Sequence, residues 1–173
     1  MRSEGNETVL ADKNSLRLII DLLDELNIRY WVEGGWGIDI LIGKQTRDHR
    51  DIDIDFDANA ESELLEKLAE QGYKIVIDER PTRVELYHPQ YGYLDLHPFD
   101  LSEPGMMKQA NPAGGWFELS SDWFTESSFD GRRIPCVSVE GQRLFHSGYE
   151  QREIDQIDLK NLNEVYPQGK EQE

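Results

Sequence analysis

From Asp51 to Asp57 the chain reads D-I-D-I-D-F-D, an acid and a large apolar residue in strict alternation. Successive side chains of a β-strand point to opposite faces. Ile52, Ile54 and Phe56 therefore demand a core on one face, while Asp51, Asp53, Asp55 and Asp57 share the other. Neighbouring acids on that face sit roughly 7 Å apart, twice the rise per residue. At an effective dielectric of about 20, each such pair repels by roughly 2 kcal/mol. Folding gains nothing from that repulsion, so a positive counterpart is required, and a divalent cation is the economical one.

Two other readings compete. A solvated edge strand also alternates, but edges are blunted with Lys and mixed charge, not with a ladder of one sign. A calcium loop of the EF-hand kind uses D-x-D-x-D, with Gly at position six and Glu at position twelve. Counted from Asp51 those positions hold Phe56 and Ser62, and counted from Asp53 they hold Ala58 and Leu64. The EF-hand reading fails.

The rest of the composition narrows the class. The 173 residues suffice for one domain, expected over 13–166, with polar tails at 1–12 and 167–173. Acidic residues outnumber basic ones 35 to 18, a net charge of −17. Such a surface repels nucleic acid and anionic membranes, so neither is an expected partner. The lone Cys136 excludes an internal disulfide framework and fits a reducing compartment. With no membrane-length apolar run and no signal-peptide core in "MRSEGNETVLADKN", a cytoplasmic protein is expected.

Spacing predicts a helix over 14–27 with Asn14 or Ser15 as N-cap, then a strand "IRYWVE" running into "GGWGIDILIG", where paired glycines open a second helix. "ESELLEKLAEQG" reads as a helix closed by Gly72, and "YKIVIDE", "TRVELYH" and "YLDLHPFD" as strands, the last two a hairpin. A joint rich in Pro and Gly follows at 102–115. Beyond it come strands "GWFEL" and "RRIPCVSV", a helix over 139–147 ending at Gly148, and a last helical segment, "IDQIDLKNLNEV". Helices with a mixed sheet make the fold class α+β.

Two features point to chemistry. Gly34-Gly35 lies between a strand and a helix start, where a phosphate can approach free N–H donors. Asp95, between Leu94 and Leu96, faces away from apolar neighbours and would add a third carboxylate if its strand lay beside the ladder. Glu85, between Val84 and Leu86, is its rival. Carboxylates, Mg²⁺ and a glycine-opened helix suit displacement at phosphorus, the third carboxylate holding metal or acting as general base. The four histidines lack zinc-site spacing. His97 shares a face with Asp95 and could orient it, and His146 reads as packed structure.

At this point "GGWGIDILIGKQTRDHRDIDIDFD" resembles the signature of antibiotic nucleotidyltransferases in the DNA polymerase β-like superfamily. The stretches "TRVEL", "YGYLDLHP", "QANPAGG", "IPC" and "LFHSGY" are similar to the small lincosamide nucleotidyltransferases, with a likeness running from about residue 15 to 163. The resemblance implies the DNA polymerase β-like fold, with a mixed β-sheet and flanking helices. It implies metal held by Asp51, Asp53 and Asp95, with two Mg²⁺ ions, and Asp95 as base. It sets Gly34, Gly35, Arg47, His49 and Lys160 toward a nucleoside triphosphate. Many relatives in the wider superfamily carry Ser after the second glycine; here Trp36 stands instead, as in the antibiotic-modifying branch, so the phosphate contact differs in detail.

The function so implied is transfer of a nucleoside monophosphate to a hydroxyl of a lincosamide, lincomycin or clindamycin, with release of pyrophosphate and resistance as the outcome. An aminoglycoside is the second substrate class, and a toxin-like enzyme acting on tRNA or protein a third reading. A metal-stabilised binding module without turnover is the alternative outside enzymes. Glu85 and His97 are expected at the drug, together with Trp116 from the aromatic stretch "GGWFELSSDWF". A homodimer that completes the drug cleft is an open expectation.

Overall fold

The computed structural model describes residues 8–147 and 149–169. The acid ladder is strand β2 (Asp51–Asp57), central in a nine-stranded sheet. On one side β1 (Tyr30–Glu33) runs antiparallel to it, and on the other β5 (Gly92–Asp100) runs parallel. With β3 (Lys74–Glu79), β4 (Arg83–His88), β8 (Phe124–Phe129) and β9 (Arg132–Val137), the order is β3-β4-β5-β2-β1-β9-β8. β6 (Met106–Ala110) pairs with the end of β5, and β7 (Trp116–Ser120) pairs with β6. Parallel and antiparallel pairs coexist, as an α+β reading requires.

The alternation in β2 sets the layers. Ile52, Ile54 and Phe56 share their face with Val32, Leu94, Leu96, Val84 and Leu86, all at most 2% exposed. Leu16, Ile19, Ile20 and Leu23 of α1 (Lys13–Glu25) and Leu64 and Leu68 of α3 (Glu61–Glu70) join the same cluster. Each such side chain contributes about 1.5–3 kcal/mol by leaving water. The core thus pins the register of β2 and leaves its acids on the opposite face.

Several boundaries differ from expectation for identifiable reasons. Asp12, not Asn14 or Ser15, caps α1: its carboxylate accepts from Ser15 N at 3.0 Å, and the helix begins at Lys13. Ala11 and Asp12 fall inside the expected N-terminal tail, yet the Ala11 carbonyl accepts from Trp36 Nε1 at 2.8 Å and its N–H donates to His49 O at 2.9 Å. The supposed loose joint holds β6, whose M-M-K-Q-A lacks β-branched residues and is held by its backbone ladder to β7. β8, F-T-E-S-S-F, is too polar to be read as a strand and pairs along its whole length with β9. Helix α4 (Val139–Phe145) ends at His146; the expected stop, Gly148, lies outside the described residues. Helix α5 (Glu153–Val165) follows. Among the described residues no helix is long and apolar enough to cross a membrane.

One fastening positions the site. Helix α2 (Gly34–Ile42) carries Asp39, which is fully buried. Asp39 accepts from Thr46 N at 3.0 Å and Thr46 Oγ1 at 2.5 Å, and pairs with His49 Nε2 at 2.6 Å. The loop from α2 to β2 is therefore stapled to the helix. Asp39→Ala is expected to cost about 3 kcal/mol, because it strands buried donors of Thr46 and His49. Urea unfolding would measure it, and a loss under about 1 kcal/mol would show that the loop is held by something else.

Candidate active site

Strand register turns the ladder into a row across the sheet. Glu33 of β1 pairs with Asp53 of β2, Asp53 with Asp95 of β5, and Asp95 with Glu85 of β4. Four acids from four strands thus stand side by side, at the roughly 5 Å spacing of adjacent strands. One pleat to either side on the same face come Trp31, Asp55 and His97, and Asp51, Tyr93 and Tyr87. The register brings Asp51, Asp53, Asp95, Glu85 and His97 together on one face of the sheet.

The protein supplies three cations against this row. Arg83 Nη1 donates to Asp95 Oδ2 at 2.7 Å and lies 3.9 Å from Glu85 Oε2. Arg50 donates to Glu85 Oε1 at 2.9 Å and to Asp51 Oδ2 at 3.2 Å. His97 Nε2 lies 3.3 Å from Asp53 Oδ1 and 3.8 Å from Asp95 Oδ2. Neither arginine was singled out from the sequence. Arg83 could have been, since it stands two residues before Glu85 on the same strand face; Arg50 precedes the strand and leaves no periodic trace.

Burial, then the neighbouring Asp53, lifts the Asp51 carboxyl to about 7. Burial lifts Asp95 to about 6, although His97 and Arg83 pull downward. Burial alone would lower the His97 imidazole, but its hydrogen bond to Asp53 and the charges of Glu33 and Asp95 outweigh it and hold it at about 9. His97 is therefore an imidazolium at neutral pH. Asp55 is fully buried with no donor facing either oxygen. Burial first, then the charge of Glu33, raise its pKa well above the carboxylate range and favour its neutral form.

The donor set fits a hard divalent cation. Asp53, Asp95 and His97 each place a ligand atom within 4.8 Å of the others, and Asp95 Oδ1 is buried without a donor. With His97 protonated, the available ligands are carboxylates, which suit Mg²⁺. Asp51 stands one pleat from Asp53 and completes a set of Asp51, Asp53 and Asp95.

The glycines admit α2 to this site. Gly34 has φ +66°, and a side chain there would run into the Asp53 carboxylate. A Cβ on Gly35 would meet the Arg47 guanidinium and would lie 2.7 Å from His49 Nδ1. Arg47 lines the cleft, held to Asp158 by two bonds of 2.7 and 2.8 Å. His49 does not reach it: the ring is 2% exposed and packs behind Gly35 against Trp36. Lys160 also stays outside. It lies about 200° around α5 from Asp158, at 3.6 residues per turn, and is exposed. The cleft, about 480 Å³, takes instead Asp155 and Asp158 from α5 and Arg152 from its N-cap, with His146 and Tyr149 before it. Trp116 sits on β7, 57% exposed, outside the cleft. The acid face carries the aromatic side chains Trp31, Tyr87, Tyr93, Phe99 and Phe124.

Comparison with known proteins matches residues 15–162 to the aminoglycoside-2''-adenylyltransferase family model. A lincosamide resistance protein from Staphylococcus haemolyticus is 49% identical over 153 residues, 88% of this chain and 95% of that protein. The crystal structure of the lincosamide antibiotic adenylyltransferase LnuA, lincomycin-bound, superposes with a TM-score of 0.86 at 48% identity, covering 90% of this chain and 99% of that one. ANT(2")-Ia in complex with adenylyl-2"-tobramycin gives a TM-score of 0.69 at 19% identity, 88% of each chain, a likeness of fold. The nucleotidyltransferase fold expected from the sequence is the fold these proteins share.

The raised pKa values set a pH dependence. A group whose folded pKa lies above its unfolded value lends stability at low pH and loses it as pH rises through the folded value. For Asp51 and Asp95 that window runs from about 4 to about 7 and 6, and for His97 from 6.5 to about 9. Thermal melts in EDTA should therefore show stability falling from pH 6 to pH 9, and Mg²⁺ should raise it most at the upper end. Stability that climbed over that range in EDTA would contradict the assignment.

Proposed function

The chain belongs to the aminoglycoside-2''-adenylyltransferase family, and on that premise we propose that it transfers AMP from ATP to a hydroxyl of a lincosamide antibiotic, releasing pyrophosphate. The observation that carries the chemistry is the Glu33–Asp53–Asp95–Glu85 row abutting the glycine-opened start of α2. The substrate class rests on the near full-length likeness to the lincosamide resistance protein and to LnuA. The aminoglycoside reading has the family description and a likeness of fold behind it.

Asp51, Asp53 and Asp95 would hold the metal, with two Mg²⁺ ions as the finer expectation. The metal's chemistry is to bind the phosphates and stabilise the attacking and leaving oxygens of an in-line displacement. Gly34 and Gly35 let the triphosphate approach the N–H groups and positive dipole end of α2. Arg47 and Arg152 line the same side of the cleft as point charges for phosphate. Asp95 is the better base. Its Oδ1 carries no donor, whereas Glu85 has Arg50 on one oxygen and Arg83 near the other. The acceptor oxygen bonds to the α-phosphorus as the bridge to the β-phosphate breaks, and its proton passes to Asp95 Oδ1. His97 keeps its own proton and braces Asp53 against Asp95. A donor triphosphate and a lone cysteine both suit the cytoplasm.

Lincomycin or clindamycin incubated with ATP and Mg²⁺ should gain one AMP by mass spectrometry, while kanamycin and tobramycin stay unmodified. An aminoglycoside adduct formed where lincomycin remains intact would overturn the substrate class and leave the chemistry standing. Asp95→Asn should lower kcat by about 10²–10⁴-fold with KM little changed, as loss of a general base does. Asp53→Asn should abolish transfer while melting no lower than the parent in EDTA, since it removes one charge from the row. Normal turnover by either variant would remove that residue from the mechanism.

A further inference from the structure

Arg50 holds the acceptor side of the acid row in a way the chemistry above does not use. Its guanidinium lies 3.8 Å from the centre of the Tyr93 ring, and Tyr93 in turn packs on Tyr87 with ring centres 4.7 Å apart. The same guanidinium donates to Glu85 Oε1 at 2.9 Å. Its side chain is 53% exposed, while that of Glu85 is 6% exposed. A half-exposed cation thus sits on a buried carboxylate and covers an aromatic plate beside it.

That plate lies one pleat from Asp95 and Glu85, on the face where the acceptor must come. Gly34 and the start of α2 flank the opposite end of the row, where the triphosphate enters. We propose that Arg50 occupies, in the free protein, the subsite of the acceptor's ammonium group, and that the drug enters by exchanging its cation for the guanidinium on Glu85. The assignment rests on the lincosamide reading. A lincosamide brings one basic nitrogen and a hydroxylated thiosugar, which match one carboxylate and one aromatic face. Without Arg50 the buried Glu85 keeps only Arg83, 3.9 Å from its other oxygen, so a one-for-one exchange is the route that keeps its Oε1 compensated throughout. The displaced guanidinium returns to water at little cost because it is half hydrated already.

Lincomycin binding, measured by calorimetry and again as KM in turnover, tests this with Arg50→Gln, Glu85→Gln and the double variant. Arg50→Gln should bind lincomycin about two- to fivefold more tightly than the parent, the scale of a partly exposed ion pair. Glu85→Gln should bind more weakly, and the double variant should match Glu85→Gln. Binding by Arg50→Gln that is unchanged or weaker would overturn the assignment. So would tightening that persists in the Glu85→Gln background, which would mark a general charge effect. A parent protein that neither binds nor modifies lincomycin would overturn the substrate reading, and this inference with it.

Discussion

Like charges on adjacent strands are the constraint on which the rest of the structure depends. Two carboxylates about 5 Å apart repel by about 3 kcal/mol at an effective dielectric near 20. The pairing of β1, β2, β5 and β4 lines up four of them. What compels this arrangement is the other face of the same strands, where Ile52, Ile54, Leu94, Leu96, Val84 and Leu86 are buried together. A one-residue slip of β2 would relieve the acids and expose the core, so the apolar face holds the charged one in register. The repulsion is then met locally, by Arg50, Arg83 and a protonated His97.

Much of this was legible because a period of two is unambiguous. The alternation from Asp51 to Asp57 named the strand, its faces and its metal chemistry. Asp95 and Glu85 were placed by their apolar neighbours alone. Strand order was not legible, because β2 and β5 are separated by α3 and the β3–β4 hairpin, and no local signal marks a parallel pairing. The arginines were missed for a related reason, since a counter-ion is defined by what lies across the sheet. Lys160 and His49 show the opposite failure. Both stand in motifs of the right kind, yet helical phase turns Lys160 away and Asp39 draws His49 inward. Trp116 was chosen for aromatic richness, and edge position decided otherwise.

The site divides along the row. At the β1 end, backbone and buried side chains dominate: Gly34, Gly35 and the Asp39 staple leave little that can move. At the β4 end, half-exposed arginines and tyrosines dominate, and their contacts are of the kind that water can replace. A triphosphate is chemically invariant and suits a rigid receptor. An acceptor drug is larger and more varied, and suits side chains that exchange partners.

The Asp39 staple has a consequence for descent. One buried carboxylate ties the start of β2 to the helix whose first residues face Asp53, so the phosphate-facing amides and the metal-facing acids form a single rigid body. Substitutions accumulating on β4 or around the cleft mouth, away from Asp95, leave that body untouched. A lineage built on it can change which drug it inactivates by altering a few surface side chains, without ever passing through a form that has lost its chemistry. Resistance to a new antibiotic would then require no invention of catalysis, only a new lining for one wall of the cleft.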